Sequence, residues 1–203
     1  MIIKLFINII SILLFINLTF AFGNDNQSNR IEVLVDDVII TKYDIIQRIK
    51  VNSILKKIEI NEKNYDQLLK VVVDDLVIEK LKTQKINEFD INVNKDEFKQ
   101  NEERFYKSIN YTKEDLKKLF LENNINYDYI LEIIELELKW QKLIYGLYLR
   151  VTSVTEQEVI DLVNKNPNIS KEVANDIILQ KQLDIKGAKL LNDLRNESTI
   201  EYR

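Results

Sequence analysis

Apolar residues recur along this chain with two different periods, and the switch between them marks out the elements. Ile31, Val33 and Val35 alternate with Glu32, Leu34 and Asp36, and Asp36-Asp37 then turns the chain into Val38-Ile39-Ile40. That is the pattern of a β-hairpin. Asp-Asp is a weaker turn than Asn-Gly, because neither residue takes a positive φ as readily as glycine. Two short strands alone are marginal, so the hairpin needs a third strand or a helix to lie on. From Thr41 the spacing becomes helical. Ile45, Ile46, Ile49 and Ile54 give one apolar face, and Leu68, Leu69, Val72, Leu76 and Leu81 give a second, opened by Asn61 or Asn64. Val71-Val72-Val73 suits a strand locally, but the length of the segment and its spacing predict a helix.

Later helices carry their own start signals. Asn94 with Glu97, Thr112 with Asp115, and Thr155 with Glu158 have the spacing of a capping box, and Asn126 is placed to cap the helix between them. Tyr127 to Val151 is apolar on more than half its circumference, through Ile130, Ile133, Ile134, Leu136, Trp140, Leu143, Ile144, Leu147 and Tyr148. A helix of that kind packs on two sides. The stretches 95–108 and 113–122 are sparser, with Phe98, Phe105 and Ile109, then Leu116, Leu119 and Phe120, and read as a helical arm lying on or projecting from the core. The interval 164–170 holds the sole proline, Pro167, and reads as a linker or corner. Ser170 then caps a last helix in which Gly187 marks a bend or a close contact. The alternating run Thr199-Ile200-Glu201-Tyr202 supplies a candidate third strand. The predicted fold is mainly α: a multi-helix bundle with a helical arm and a small antiparallel sheet pairing the N-terminal hairpin with the C-terminal strand.

Composition narrows the chemistry more than it adds to it. The 203 residues include no cysteine and no histidine. Disulfides, thiol chemistry, imidazole bases and the commonest zinc ligand are therefore excluded. Three glycines and one proline leave the chain short of turns, in keeping with helix. A net charge of −4 gives no nucleic-acid footprint. The adjacent carboxylates Asp74-Asp75 and Glu102-Glu103 do not share a helix face and read as solvated surface rather than as acid–base pairs. No glycine-rich phosphate loop or nucleophile motif is present. No catalytic residue, metal site or cofactor is expected.

The first residues address the chain. Lys4 precedes an apolar run from Leu5 to Phe20, small residues follow at Ala21 and Gly23, and a polar stretch runs from Asn24 to Arg30. This order reads as a secretory signal peptide over residues 1–23, cleaved after Ala21 or Gly23. The alternative is an uncleaved anchor, since the apolar run approaches a bilayer-spanning length. Either reading exports everything after Asn24, and the membrane is met only through this segment.

In this order the features resemble a known family. The hairpin running into Val38-Ile39-Ile40-Thr41-Lys42-Tyr43-Asp44 is similar to the start of SurA-type periplasmic chaperones. The likeness continues through 68–84, through 93–98 and on to Asn110-Tyr111-Thr112, through 152–159, and in 191–202, which resembles that family's C-terminal helix and strand. The resemblance implies a core over 24–203, with an N-terminal part at 30–163, the interval 164–170, and a C-terminal helix and strand at 171–203. Relatives commonly carry parvulin-type prolyl-isomerase domains at that interval, where this chain has only a few residues. The parvulin site, as the family implies, also uses histidines, which this sequence lacks, so isomerase activity is not expected. What the resemblance implies instead is ATP-independent holding of unfolded exported polypeptides, especially outer-membrane β-barrel precursors. A scaffold or assembly subunit with the same core, anchored by its first segment, is the other reading. Phe98, Phe105 and Tyr106 on the arm, with Tyr145 and Tyr148 late in the long helix, are the candidate client-binding residues, because aromatic side chains give large contact area at small entropy cost. Trp140 is expected in the core.

Overall fold

A computed structural model describes residues 30–203. The predicted signal segment, with Ala21 and Gly23, lies outside them. The described chain opens with β1 (Ile31–Val35) and β2 (Val38–Thr41), an antiparallel pair with a register shift between Ile31 and Val33. Its last strand, β3 (Ile200–Tyr202), pairs antiparallel with the free side of β1, so the strand order is β2-β1-β3. The hairpin's need for a third strand is met by the opposite end of the chain. Asp36 makes this junction. It takes a left-handed φ of 50° in the turn, its N–H donates to Thr199 O at 2.8 Å, and its carboxylate accepts from Thr199 N–H at 2.8 Å.

Between the strands lie α1 (Lys42–Lys56), α2 (Glu62–Asn87), α3 (Lys95–Ile109), α4 (Lys113–Glu122), α5 (Asp128–Tyr148), α6 (Glu156–Lys165) and α7 (Lys171–Glu197). The caps are those of the sequence. Thr41, Asn94 and Thr155 each close a capping box with the residue three positions on, and Asn61 does so with Asn64. Thr112 accepts from Asp115 N–H, but Asp115 takes the Thr112 hydroxyl rather than its backbone N–H, so that box is half formed. Asn126 accepts from Asp128 N–H at 3.0 Å, and Ser170 from Val173 N–H at 3.2 Å. The long apolar helix stops at Tyr148, and Leu149–Val151 tightens into a 3-10 turn. Only 166–170 separates α6 from α7, and α7 runs unbroken.

Three apolar clusters hold these elements together. The first packs the sheet on α1 and α2 through Val33, Val35, Ile40, Ile49, Val72 and Leu81. The second gathers the end of α1 with α3, α4 and the start of α5 around Leu116, Phe120 and Ile130, so the arm lies on the core. The third joins α2, α5 and α7 through Ile86, Trp140, Leu143, Ile144 and Leu183. Trp140 is therefore a core residue. Among the described residues no helix is long and apolar enough to cross a membrane.

Candidate functional site

The surface with the most to offer a ligand is built around α5, which has a neighbour on each side. On one flank α3 runs past it, tied by Lys142 Nζ to Glu97 at 2.8 Å. On the other flank α7 comes close at Gly187, where an added Cβ would stand 3.3 Å from Ile144 Cγ1. That approach is the reason for a glycine inside a long helix, where it costs about 1 kcal/mol against alanine. Behind α5 lies α2, whose Lys82 reaches both oxygens of Glu137 at 2.6 and 2.8 Å and lies over the Trp140 ring. Sequence patterning missed these ties because each depends on a residue more than 40 positions away.

Buried polar groups fix the supporting helices. Arg48 of α1 is 6% exposed, donates to Glu79 of α2 at 2.5 Å, and donates through Nε to Tyr129 of α5 at 3.0 Å. Burial works against its charge, but Glu79 and Tyr129 outweigh that and hold its pKa above the ordinary value. Burial likewise pushes the Glu79 carboxyl up, against the pull of Arg48. The arm has its own knot: Glu102, 8% exposed, accepts from Tyr106 Oη at 2.6 Å and from Lys113 Nζ at 2.7 Å, while Tyr106 also meets Tyr127. Burial acts to raise the Glu102 pKa, but Lys113 and Tyr106 reverse it and leave the carboxyl below its usual range. Burial, then Glu102, drive the Tyr106 phenol well above its ordinary value. These groups satisfy one another. Among the described residues no buried side-chain nitrogen or oxygen is left without a partner, and no cluster of metal-ligating side chains occurs.

What α5 does present is two hollows on one exposed ridge. One, of about 260 Å³, lies between α5 and α7 over Trp140, Ile144, Leu183 and Gly187. The other, of about 300 Å³, lies between α3 and α5 over Phe105, Ile133 and Ile134. Glu137 and Gln141, one helical turn apart, line both. Tyr145, which lines the first hollow, and Leu149, Val173 and Ile177 are each exposed by 41 to 47%. A further hollow between α2 and α5 is edged by Glu79, Tyr129, Glu135 and Lys139, charges and dipoles that already pair with neighbours. It offers less to a ligand.

The five aromatic candidates do not form a single row. Phe105 lines the α3–α5 hollow and Tyr145 the α5–α7 hollow. Phe98 is half-buried in the arm cluster, and Tyr106 is buried there at 8% exposure. Tyr148 is half-buried in the third cluster, with Lys186 over its ring. Polar members of the ridge and its ends, Gln141, Arg104 and Asp184, were not read from the sequence. No local pattern distinguishes them from ordinary surface residues; only the packing of α3, α5 and α7 brings them to the hollows.

No family model matches the sequence. The chaperone SurA of Hydrogenovibrio crunogenus is 26% identical over 169 residues, covering 81% of this chain. The chain spans 38% of that relative's length. A solved structure from the pair PEB4 and Cj1289, described as SurA-like chaperones of Campylobacter jejuni, covers 86% of this chain and 99% of its own, at 14% identity and a TM-score of 0.42. That superposition is too loose to bear on function. The likeness to SurA-type chaperones that the motifs carry is thus borne out by sequence over four-fifths of the chain.

Proposed function

We propose that this chain is an ATP-independent, holdase-type chaperone of the periplasm that binds unfolded exported polypeptides, among them precursors of outer-membrane β-barrels. The observation that carries the reading is the apolar surface along α5 and α7, in a chain whose sequence is similar to a SurA for 169 residues. Tyr145, Leu149, Val173 and Ile177 each keep more than two-fifths of their surface in water. Contiguous apolar surface is a liability in a soluble protein unless something covers it. Phe105 and Tyr145, at the two hollows, are the aromatic candidates that reach a client directly; Phe98 and Tyr106 are packed in the arm cluster and Tyr148 in the α2–α5–α7 cluster.

Modest affinity suits such a role. The sequence offers no phosphate-binding loop, so release proceeds without nucleotide. A micromolar dissociation constant corresponds to about −8 kcal/mol, which a few buried aromatic side chains supply after the cost of ordering an extended client. The chain works without isomerase activity, and the mature protein starts at Phe22 or Asn24. Its core divides into 30–163 and 171–203, joined by the short interval 164–170.

The test is suppression of aggregation. The purified mature protein, without nucleotide, should delay aggregation of a denatured β-barrel protein and crosslink to such chains in the native envelope. A protein that does neither sinks the chaperone reading. Prolyl-isomerase activity that co-purifies with the protein and resists inhibitors of contaminating isomerases would overturn the non-enzymatic part alone.

A further inference from the structure

Strand β3 is an outer strand of the sheet, and its register on β1 fixes which of its backbone groups point away. Asp36 N–H donates to Thr199 O at 2.8 Å and Arg203 N–H to Glu32 O at 2.9 Å, with Leu34 opposite Glu201 between them. Hydrogen-bonded pairs alternate with non-hydrogen-bonded ones along an antiparallel ladder. Thr199, Glu201 and Arg203 therefore turn their backbone groups toward β1, and Ile200 and Tyr202 turn theirs outward. Among the described residues the N–H and C=O of these two have no backbone partner. No proline or lysine, the usual guards of an open edge, stands in 199–202. The opposite edge, on β2, offers less: the Asp44 carboxylate takes Thr41 N–H at 2.8 Å, and the strand runs straight into α1.

Side chains alternate along β3 as in any strand. Ile200 packs on the sheet cluster, and Tyr202, on the same side, lines a hollow of about 250 Å³ between the sheet and the starts of α1 and α2. Tyr65, Leu69 and Val73 line it too, with Glu32, Lys42 and Arg203 as its charged members. Tyr202 is 64% exposed. We propose that the outer edge of β3 takes an extended polypeptide segment as a fourth strand, with every second side chain apolar and set on the hollow's side of the sheet. The proposal rests on the chaperone reading and names the client feature recognised: a stretch that pairs as a strand. Backbone hydrogen bonds supply the attraction in such an addition, and alternate side chains the selection. A second copy suits the edge less well. The twofold pairing that meets all the outward groups sets Ile200 against Tyr202 of the other copy, and so Glu201 directly against its own counterpart, where like charges repel.

Hydrogen exchange and modified peptides test this on the mature protein. The probe is a fluorescent peptide of alternating valine and serine with a lysine at each end. At roughly ten times its dissociation constant it should slow exchange of the Ile200 and Tyr202 amides about tenfold, because exchange then proceeds only from the unoccupied fraction. The Glu201 and Arg203 amides, already turned toward β1, should change little. Two N-methylated forms, one modified at the valines and one at the serines, separate backbone pairing from side-chain contact. The form methylated on the side facing β3 should lose about tenfold or more in affinity, and the other should keep it. Tyr202→Pro removes an outward N–H, a change tolerated on an edge strand, and should bind the peptide several-fold less tightly than Tyr202→Ala. Unchanged exchange at Ile200 and Tyr202 with peptide bound, equal behaviour of the two methylated forms, or equal binding by folded Tyr202→Pro and Tyr202→Ala overturns the proposal. Protection of the two amides before any peptide is added overturns it as well, since the edge is then already covered by a second copy or by another part of the chain. If clients are still held in any of these cases, the chaperone reading stands without the edge; if no peptide binds and aggregation is not delayed, both fall.

Discussion

Helices α2 and α7 are nearly equal in length, 26 and 27 residues, yet the protein uses them in opposite ways. Along α2, Val72, Leu76, Val77, Leu81, Lys82 and Ile86 are buried, and the helix contributes to both the sheet cluster and the α5–α7 cluster. Along α7 only Ala174, Leu183 and Gly187 are buried, while Val173, Ile177 and Ile185 stand open to solvent. Length and capping therefore do not say which helix is a spine and which is a surface. The distribution of buried residues does, and it predicts that substitutions in α2 cost stability whereas those of Val173 and Ile177 on α7 cost binding.

The largest expected effect is on the spine. Leu81 is 1% exposed. Leu81→Ala should destabilise by about 2–5 kcal/mol, lowering the melting temperature by on the order of 10 °C at about 2–4 °C per kcal/mol. A melting curve within a degree of the parent would place α2 outside the cooperative core. Removal of Ser198–Arg203 comes next. It takes away β3, the Asp36–Thr199 pair of hydrogen bonds and the Arg203 N–H to Glu32 O contact, and should lower the midpoint by several degrees. No shift there would mean that the sheet closes without adding to the fold.

A smaller effect belongs to the arm. Burial opposes the charge on Glu102, but Lys113 and Tyr106 favour it more strongly and hold the carboxyl below its ordinary range. The folded state therefore binds this proton less readily than the unfolded chain. The resulting stability is fully present above about pH 4.5 and is lost as pH falls through the lowered value. Glu102→Gln should cost roughly 1–3 kcal/mol near neutrality, and the variant should lose less than the parent on acidification. Parallel pH–stability curves for the two proteins would contradict that. The smallest effect is on the open face: Ile177→Ser should change stability by no more than about 0.5 kcal/mol while weakening client capture in the aggregation assay. A variant as active as the parent would remove Ile177 from the binding surface.

Much of this architecture was legible because the signals are local. A cap such as Thr41 with Asp44 needs only three residues of spacing, and the structure forms it. The pairing of β3 with the hairpin was legible for another reason: two strands with an unpaired edge demand a partner, and 199–202 was a suitable candidate. The end of α5 was less so, since Leu149–Val151 keeps the apolar pattern while its backbone tightens. Arg48 went unread although it stands on the same face as Ile45 and Ile49, where a charge signals either a break in the core or a buried partner. The partner, Glu79, lies 31 positions away. For the candidate site, aromatic content pointed to α3 and α5, and the packing then divides those aromatics between hollows and clusters. Tyr145 and Tyr148, three residues apart, end in different surroundings, one in the open hollow and the other half inside a cluster.

The strand order β2-β1-β3 also has a consequence in time. Asp36 and Thr199, which meet at the sheet, are 163 positions apart. Synthesis delivers the hairpin first, so the edge of β1 stays open until the segment around Thr199 has been made. Such long-range pairing is slow, and a waiting strand edge invites pairing with other chains. The newly made protein thus passes through an interval in which it is itself an unfolded, aggregation-prone chain, of the kind its finished surface is proposed to hold.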